Sequence, residues 1–128
     1  MDELMDPKPD QEILRRRQEE SEAIWDLALR FPEIEPVVQE DIEYYGEMFP
    51  NLILSDVVRW MSNNAEVNQD VCRGILRWME EMVETGSEAI ATMVVVSGVE
   101  MLPSPDEVGA DLRRWLGPVL RKYDGWSR

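Results

Sequence analysis

Ser87-Glu88-Ala89-Ile90-Ala91-Thr92-Met93-Val94-Val95-Val96-Ser97-Gly98-Val99-Glu100-Met101-Leu102 decides the fold. By composition, Met93 to Val96 has the β-branched density of a buried strand. By context, Ser87 is a good N-cap and the flanking segments carry helical periodicity. A lone strand among helices would leave its backbone N–H and C=O groups without partners. The stretch is therefore expected to be a helix buried on nearly all sides, which makes the chain all-α.

Upstream, a helix is expected from Asn68 to Glu84, with Val71, Ile75, Met79 and Met82 inward and Thr85-Gly86 as its stop. Gly74 inside it is unfavourable by about 1 kcal/mol relative to Ala and marks a close helix–helix contact. Leu52 to Ser62 forms the preceding helix on Leu54, Val57, Val58 and Met61, and Asn63-Asn64 is a turn signal. Before that, Pro36 opens a helix with Val38, Ile42, Tyr45 and Phe49 inside and Glu40, Asp41 and Glu43 largely outside; Pro50 is expected to end it. Ile24, Leu27, Ala28 and Phe31 place another helix from Asp10 to Phe31, behind a flexible lead-in over 1–9.

Downstream, Ser104-Pro105-Asp106-Glu107 reads as a helix start with a capping Ser, Pro at N1 and Glu at N3. Val108, Leu112, Trp115, Leu116, Val119 and Tyr123 continue the stripe, and Gly117-Pro118 should kink or split it. The expectation is one all-helical domain over 10–128, of about six helices, as a bundle or a short helical-repeat-like stack. Val58-Arg59-Trp60-Met61, Leu76-Arg77-Trp78-Met79 and Arg113-Arg114-Trp115-Leu116 echo one another, but at unequal spacing.

The 128 residues are 44% hydrophobic, enough for a core, yet carry a formal charge of −14. Residues 1–50 hold 15 acids against 5 bases, net −10. Such a surface argues against direct nucleic-acid binding and for a basic partner. Arg15-Arg16-Arg17 is matched by Glu19, Glu20 and Glu22 at helical spacing, the pattern of a solvated face. The single Cys72 reads as a small buried hydrophobe. The longest uncharged apolar run, Ala89 to Val99, is shorter than the about 20 residues that cross a bilayer. With an acidic N-terminus unlike a signal peptide, the expected place is the cytoplasm.

With no histidine, the commonest acid, base and metal ligand near neutral pH is missing. Glu80-Glu81-Met82-Val83-Glu84 looks like half the magnesium site of all-α nucleotide pyrophosphohydrolases. The downstream Glu100-Met101-Leu102-Pro103 and Glu107-Val108-Gly109-Ala110 lack the fourth-position acid that a second half needs. No catalytic residue, metal or cofactor is expected. The binding candidates are Glu40, Asp41, Glu43, Tyr44 and Glu47 in the acidic segment, and Arg59, Trp60, Arg77 and Trp78. Trp and Arg are enriched in interface hot spots, and one of Tyr44 and Tyr45 must face outward.

The ordered series Asn51 to Met61, Ile75-Leu76-Arg77-Trp78-Met79-Glu80-Glu81, Val96-Ser97-x-x-Glu100-x-Leu102 and Leu116-Gly117-Pro118 resembles a family of small, acidic, all-helical bacterial proteins. Some of these look like immunity proteins of polymorphic toxin systems. The resemblance covers roughly residues 50–123 and implies a cytoplasmic, non-enzymatic protein that neutralises a cognate toxin. A nuclease toxin would supply the basic partner. The alternatives are a general helical adaptor, a self-associating scaffold and, last, a magnesium-dependent nucleotide phosphohydrolase.

Overall fold

Pro50, expected to end a helix, begins one. A computed structural model describes residues 9–127, so most of the lead-in expected over 1–9 lies outside the described residues, and Pro9 opens the first helix. The order is α1 (Pro9–Arg30), α2 (Glu35–Tyr45), α3 (Pro50–Asn64), α4 (Gln69–Thr85), α5 (Glu88–Ser97) and α6 (Pro118–Arg121). Short 3-10 helices cover Pro32–Ile34, Val99–Met101, Ala110–Trp115 and Gly125–Ser127, and no strand occurs among the described residues. What stops α2 is Gly46, in the left-handed region at φ 77, with its N–H donated to the Ile42 carbonyl. Proline fits the first turn of α3, where its missing N–H has no intrahelical use.

The deciding stretch is helical. Ser87 caps α5 by accepting from the Ile90 N–H at 3.3 Å. The helix packs against α1, α3 and α4 at the centre of the domain. It is not buried all round: Ala89, Met93, Val94 and Ser97 face the core, while Val96 is 51% exposed. A polar chain ties three helices here. Glu20 on α1 accepts from Asn51 Nδ2 at 3.3 Å, Asn51 Oδ1 accepts from Ser97 Oγ at 3.0 Å, and Ser55 Oγ donates to the Ser97 carbonyl at 3.1 Å.

The core joins Ile24 and Leu27 of α1, Ile53, Leu54, Val57, Val58 and Met61 of α3, and Ile75, Leu76, Trp78 and Met79 of α4. Each fully buried side chain of this size contributes about 1.5–3 kcal/mol. Gly74 marks a close approach as expected, but to a side chain: an added Cβ would lie 2.6 Å from Cε1 of Phe31.

The expected long C-terminal helix does not form. Ser104 and Glu107 do close their reciprocal box, with the Ser104 N–H donated to Glu107 Oε1 at 2.8 Å. Ser104's side-chain and backbone donors hold the Glu107 carboxyl below its ordinary range. The box caps a turn, because Gly109 adopts φ 90 two residues later and ends any helical run. Val108 consequently points to solvent, while Leu112 and Leu116 reach the core from a 3-10 helix and its end. Gly117-Pro118 then starts the single turn of α6.

Glu80 explains where α6 sits. Its carboxylate accepts the N–H groups of Val119 at 2.5 Å and Leu120 at 3.1 Å, satisfying donors that a helix start leaves open. Glu81 lies 3.6 Å from Arg30 instead. The first glutamate of the magnesium-like motif is therefore engaged with backbone. Among the described residues no three Asp, Glu or Cys side chains converge as a metal site. Glu80→Ala is expected to destabilise by about 1–3 kcal/mol in urea melts, with Glu80→Gln intermediate because its amide oxygen still accepts one N–H. A midpoint raised by millimolar Mg²⁺ in the wild type and not in Glu80→Ala would restore a metal role.

Candidate protein-binding face

Glu40, Glu43 and Tyr44 stand at i, i+3 and i+4 on α2 and form one exposed row. Tyr44 is 82% exposed, yet its ring is held edge-on against Tyr45 with centroids 4.8 Å apart. Tyr45, expected inside, is 44% exposed and meets Phe49 edge-on at 5.6 Å. Glu47, beyond Gly46, pairs with Arg17 of α1 at 2.9 Å. That Arg17 guanidinium also lies 5.6 Å from the centre of the Phe49 ring. Aromatic contact thus fixes a projecting tyrosine inside an acidic surface.

Asp41 does not share the outer row. It turns toward α3 and is half-buried, with the Asp56 carboxylate within hydrogen-bonding reach. Burial pushes Asp41 up to about 7, helped by Asp56 and Glu40 and opposed by Arg59. Arg59 itself is exposed and holds Asp56 at 2.5 Å. Trp60, the next residue, is half-buried against the core. The α2–α3 contact thus brings Glu40, Asp41, Glu43, Tyr44 and Arg59 onto neighbouring helices, with Asp56 added. Asp56 carried no signal in the sequence, since its link to Asp41 depends on the turn that lays α3 against α2.

Arg77 and Trp78 do not join this group. They lie on α4, which packs against α5 and α6. Trp78 is a core residue at 2% exposure, its Nε1 donating to Asp26 Oδ2 at 3.1 Å. Arg30 approaches the same Asp26 oxygen at 3.1 Å. Arg77 is left exposed beside a tryptophan that turns inward. Cys72 is buried, donates to the Met61 carbonyl at 3.7 Å, and its thiol is pushed up to about 11 by that burial. It is a poor nucleophile at neutral pH.

Two further surface features were not anticipated. A groove of about 410 Å³ runs between the end of α3 and the 107–111 loop, with Val67 and Val108 exposed on its walls. At the C-terminal end, Arg73 stacks 4.6 Å from the centre of the Trp115 ring. Among the described residues, no helix is long and apolar enough to cross a membrane.

No curated protein and no solved structure matches the chain. The profile of a domain family does match, over residues 24–128. That span starts at Ile24, a buried anchor of α1, and takes in α2 to α6, so the core and the acidic face both fall within it. The chain belongs to the family described as Domain of unknown function (DUF7674).

Proposed function

We propose that this domain is a non-enzymatic protein-binding module of the immunity or inhibitor type, which presents α2 to a basic partner in the cytoplasm. One observation carries the reading. Glu40, Glu43 and the projecting Tyr44 share a face of a helix whose last turn holds no basic residue. Acids near a helix C-terminus oppose the backbone dipole, so this arrangement works against the stability of α2. Its physical use is outward: acidic charge speeds encounter with a cationic surface, and a desolvated tyrosine slows dissociation. A nuclease toxin of a polymorphic toxin system fits, because a protein that holds phosphates is basic.

The partner is to be captured from a lysate of the protein's own source at low salt, released at high salt and identified by mass spectrometry. With that partner, Glu40→Lys/Glu43→Lys is expected to lower the association rate about tenfold or more at low salt, and less at high salt. Tyr44→Ala is expected to act mainly on dissociation. Unchanged kinetics in both variants would reject α2 as the binding face.

A self-associating scaffold is the second reading. Trp25 and Leu29 lie one turn apart on α1, and Leu29 is 82% exposed. A dimer in light scattering that Leu29→Glu converts to a monomer would favour it.

A further inference from the structure

Within the α2–α3 contact, beside the core packing of Val38 and Ile42, two acids meet where an apolar or oppositely charged pair would be the ordinary choice. Oδ2 of Asp41 is closed off from solvent and has no hydrogen-bond donor. The carboxyl it faces, Asp56, already accepts from Arg59 Nη1 at 2.5 Å. Two carboxylates in contact repel, whereas one proton between them converts the same contact into an O–H···O bond. Asp56 has the Arg59 guanidinium as its donor whereas Asp41 Oδ2 has none, so Asp41 is the member that takes the proton. Other charges nearby are few. Glu40 on α2 favours protonation and Arg59 on α3 opposes it. Arg17 on α1 is taken up by Glu47 at the far end of α2, and Glu33, on the preceding 3-10 turn, is exposed.

We propose that Asp41 and Asp56 form a one-proton latch, holding α2 on α3 while the proton is shared and loosening it when the proton leaves. The sign follows from linkage. Docked, Asp41 is raised from 3.8 to about 7; released into water, it ionises in the ordinary aspartate range. Docking therefore takes up a proton. It is strongest below about pH 4, weakens as pH rises, and is weakest above about 7. Because Glu40, Glu43 and Tyr44 ride on α2, the latch governs how rigidly that row is displayed, whether or not it binds the proposed partner.

The test is backbone hydrogen exchange on the full chain at pH 5.5 and 8, corrected for intrinsic rates, with α4 amides as the internal control. Protection over Val38–Tyr45 is expected to fall at least about tenfold more than protection in α4, since each unit of pKa displacement is a tenfold change in the docking equilibrium. Asp41→Asn, whose amide donates to Asp56 without titrating, is expected to abolish the extra fall, and Asp56→Asn, whose amide can donate to an ionised Asp41, to reduce it. Equal pH dependence in α2 and α4, or an extra fall that survives in both variants, overturns the latch. Carboxyl ¹³C titration of wild-type Asp41 reads it without any substitution: a midpoint well above the aspartate range supports the latch, and one within that range overturns it.

Discussion

Replacing Arg113 with methionine is expected to cost the fold about 3–5 kcal/mol, a large share of the 5–15 kcal/mol that holds a typical domain. Arg113 pairs with Asp124 through Nη1, donates from Nη2 to the Leu102 carbonyl at 3.0 Å, and donates from Nε to the Pro103 carbonyl at 2.7 Å. Asp124 is buried, its side chain 1% exposed, and also accepts the Trp126 N–H at 3.1 Å. Methionine fills similar volume but leaves a carboxylate out of water without its cation. Arg113→Lys should recover only part of the loss, because an ammonium cannot reproduce the three-way guanidinium fork. Arg113→Met/Asp124→Leu should recover more, since no charge is then stranded. Urea unfolding at pH 7 measures all three, and a loss below about 1 kcal/mol for Arg113→Met would show that the clamp does not hold the C-terminal segment.

Gly109→Ala is expected to be the next most damaging change, at about 2–5 kcal/mol. Two penalties combine there. The φ of 90 lies in the left-handed region, where a Cβ costs about 1–2 kcal/mol. The added carbon would also sit 2.6 Å from Cα of Ser62 and 2.8 Å from its carbonyl oxygen. Those are backbone atoms of α3, so the collision cannot be relieved by rotating a side chain, and overpacking of this kind costs about 1–3 kcal/mol. Gly46 provides the comparison: its φ is 77, but nothing lies within 4 Å of an added Cβ. Gly46→Ala should therefore lose only the conformational part. In thermal melts the Gly109 variant should fall by roughly 10–20 °C and the Gly46 variant by about half that or less. Equal shifts would mean that the 104–111 loop yields to Ser62 without strain.

Where local chemistry is decisive, the sequence was legible. Ser87 does cap α5, and the stripes Ile24-Leu27-Ala28 and Leu54-Val57-Val58-Met61 are buried. Gly74 does mark a tight approach. The failures share a cause. Pro50 serves equally as the stop of one helix or the first turn of the next, and the Gly46 C-cap decided between them. Ser104 to Glu107 makes the hydrogen bonds of a helix start, but whether a helix follows depends on Gly109 and on the α3 backbone beside it. At the candidate face, Glu40 and Glu43 were readable as outward from their spacing, and one of Tyr44 and Tyr45 as exposed. Asp41 was not, being adjacent in sequence and opposite in environment.

Periodicity, capping residues and charge by themselves determined an all-helical class, most of the core and an acidic surface, because each acts within a few residues along the chain. Only the tertiary structure decided that Trp78 turns inward to Asp26, that Glu80 caps α6, and that Asp41 meets Asp56. Those outcomes join residues 15 to 52 positions apart, and their energies exist only after packing has removed water from between them.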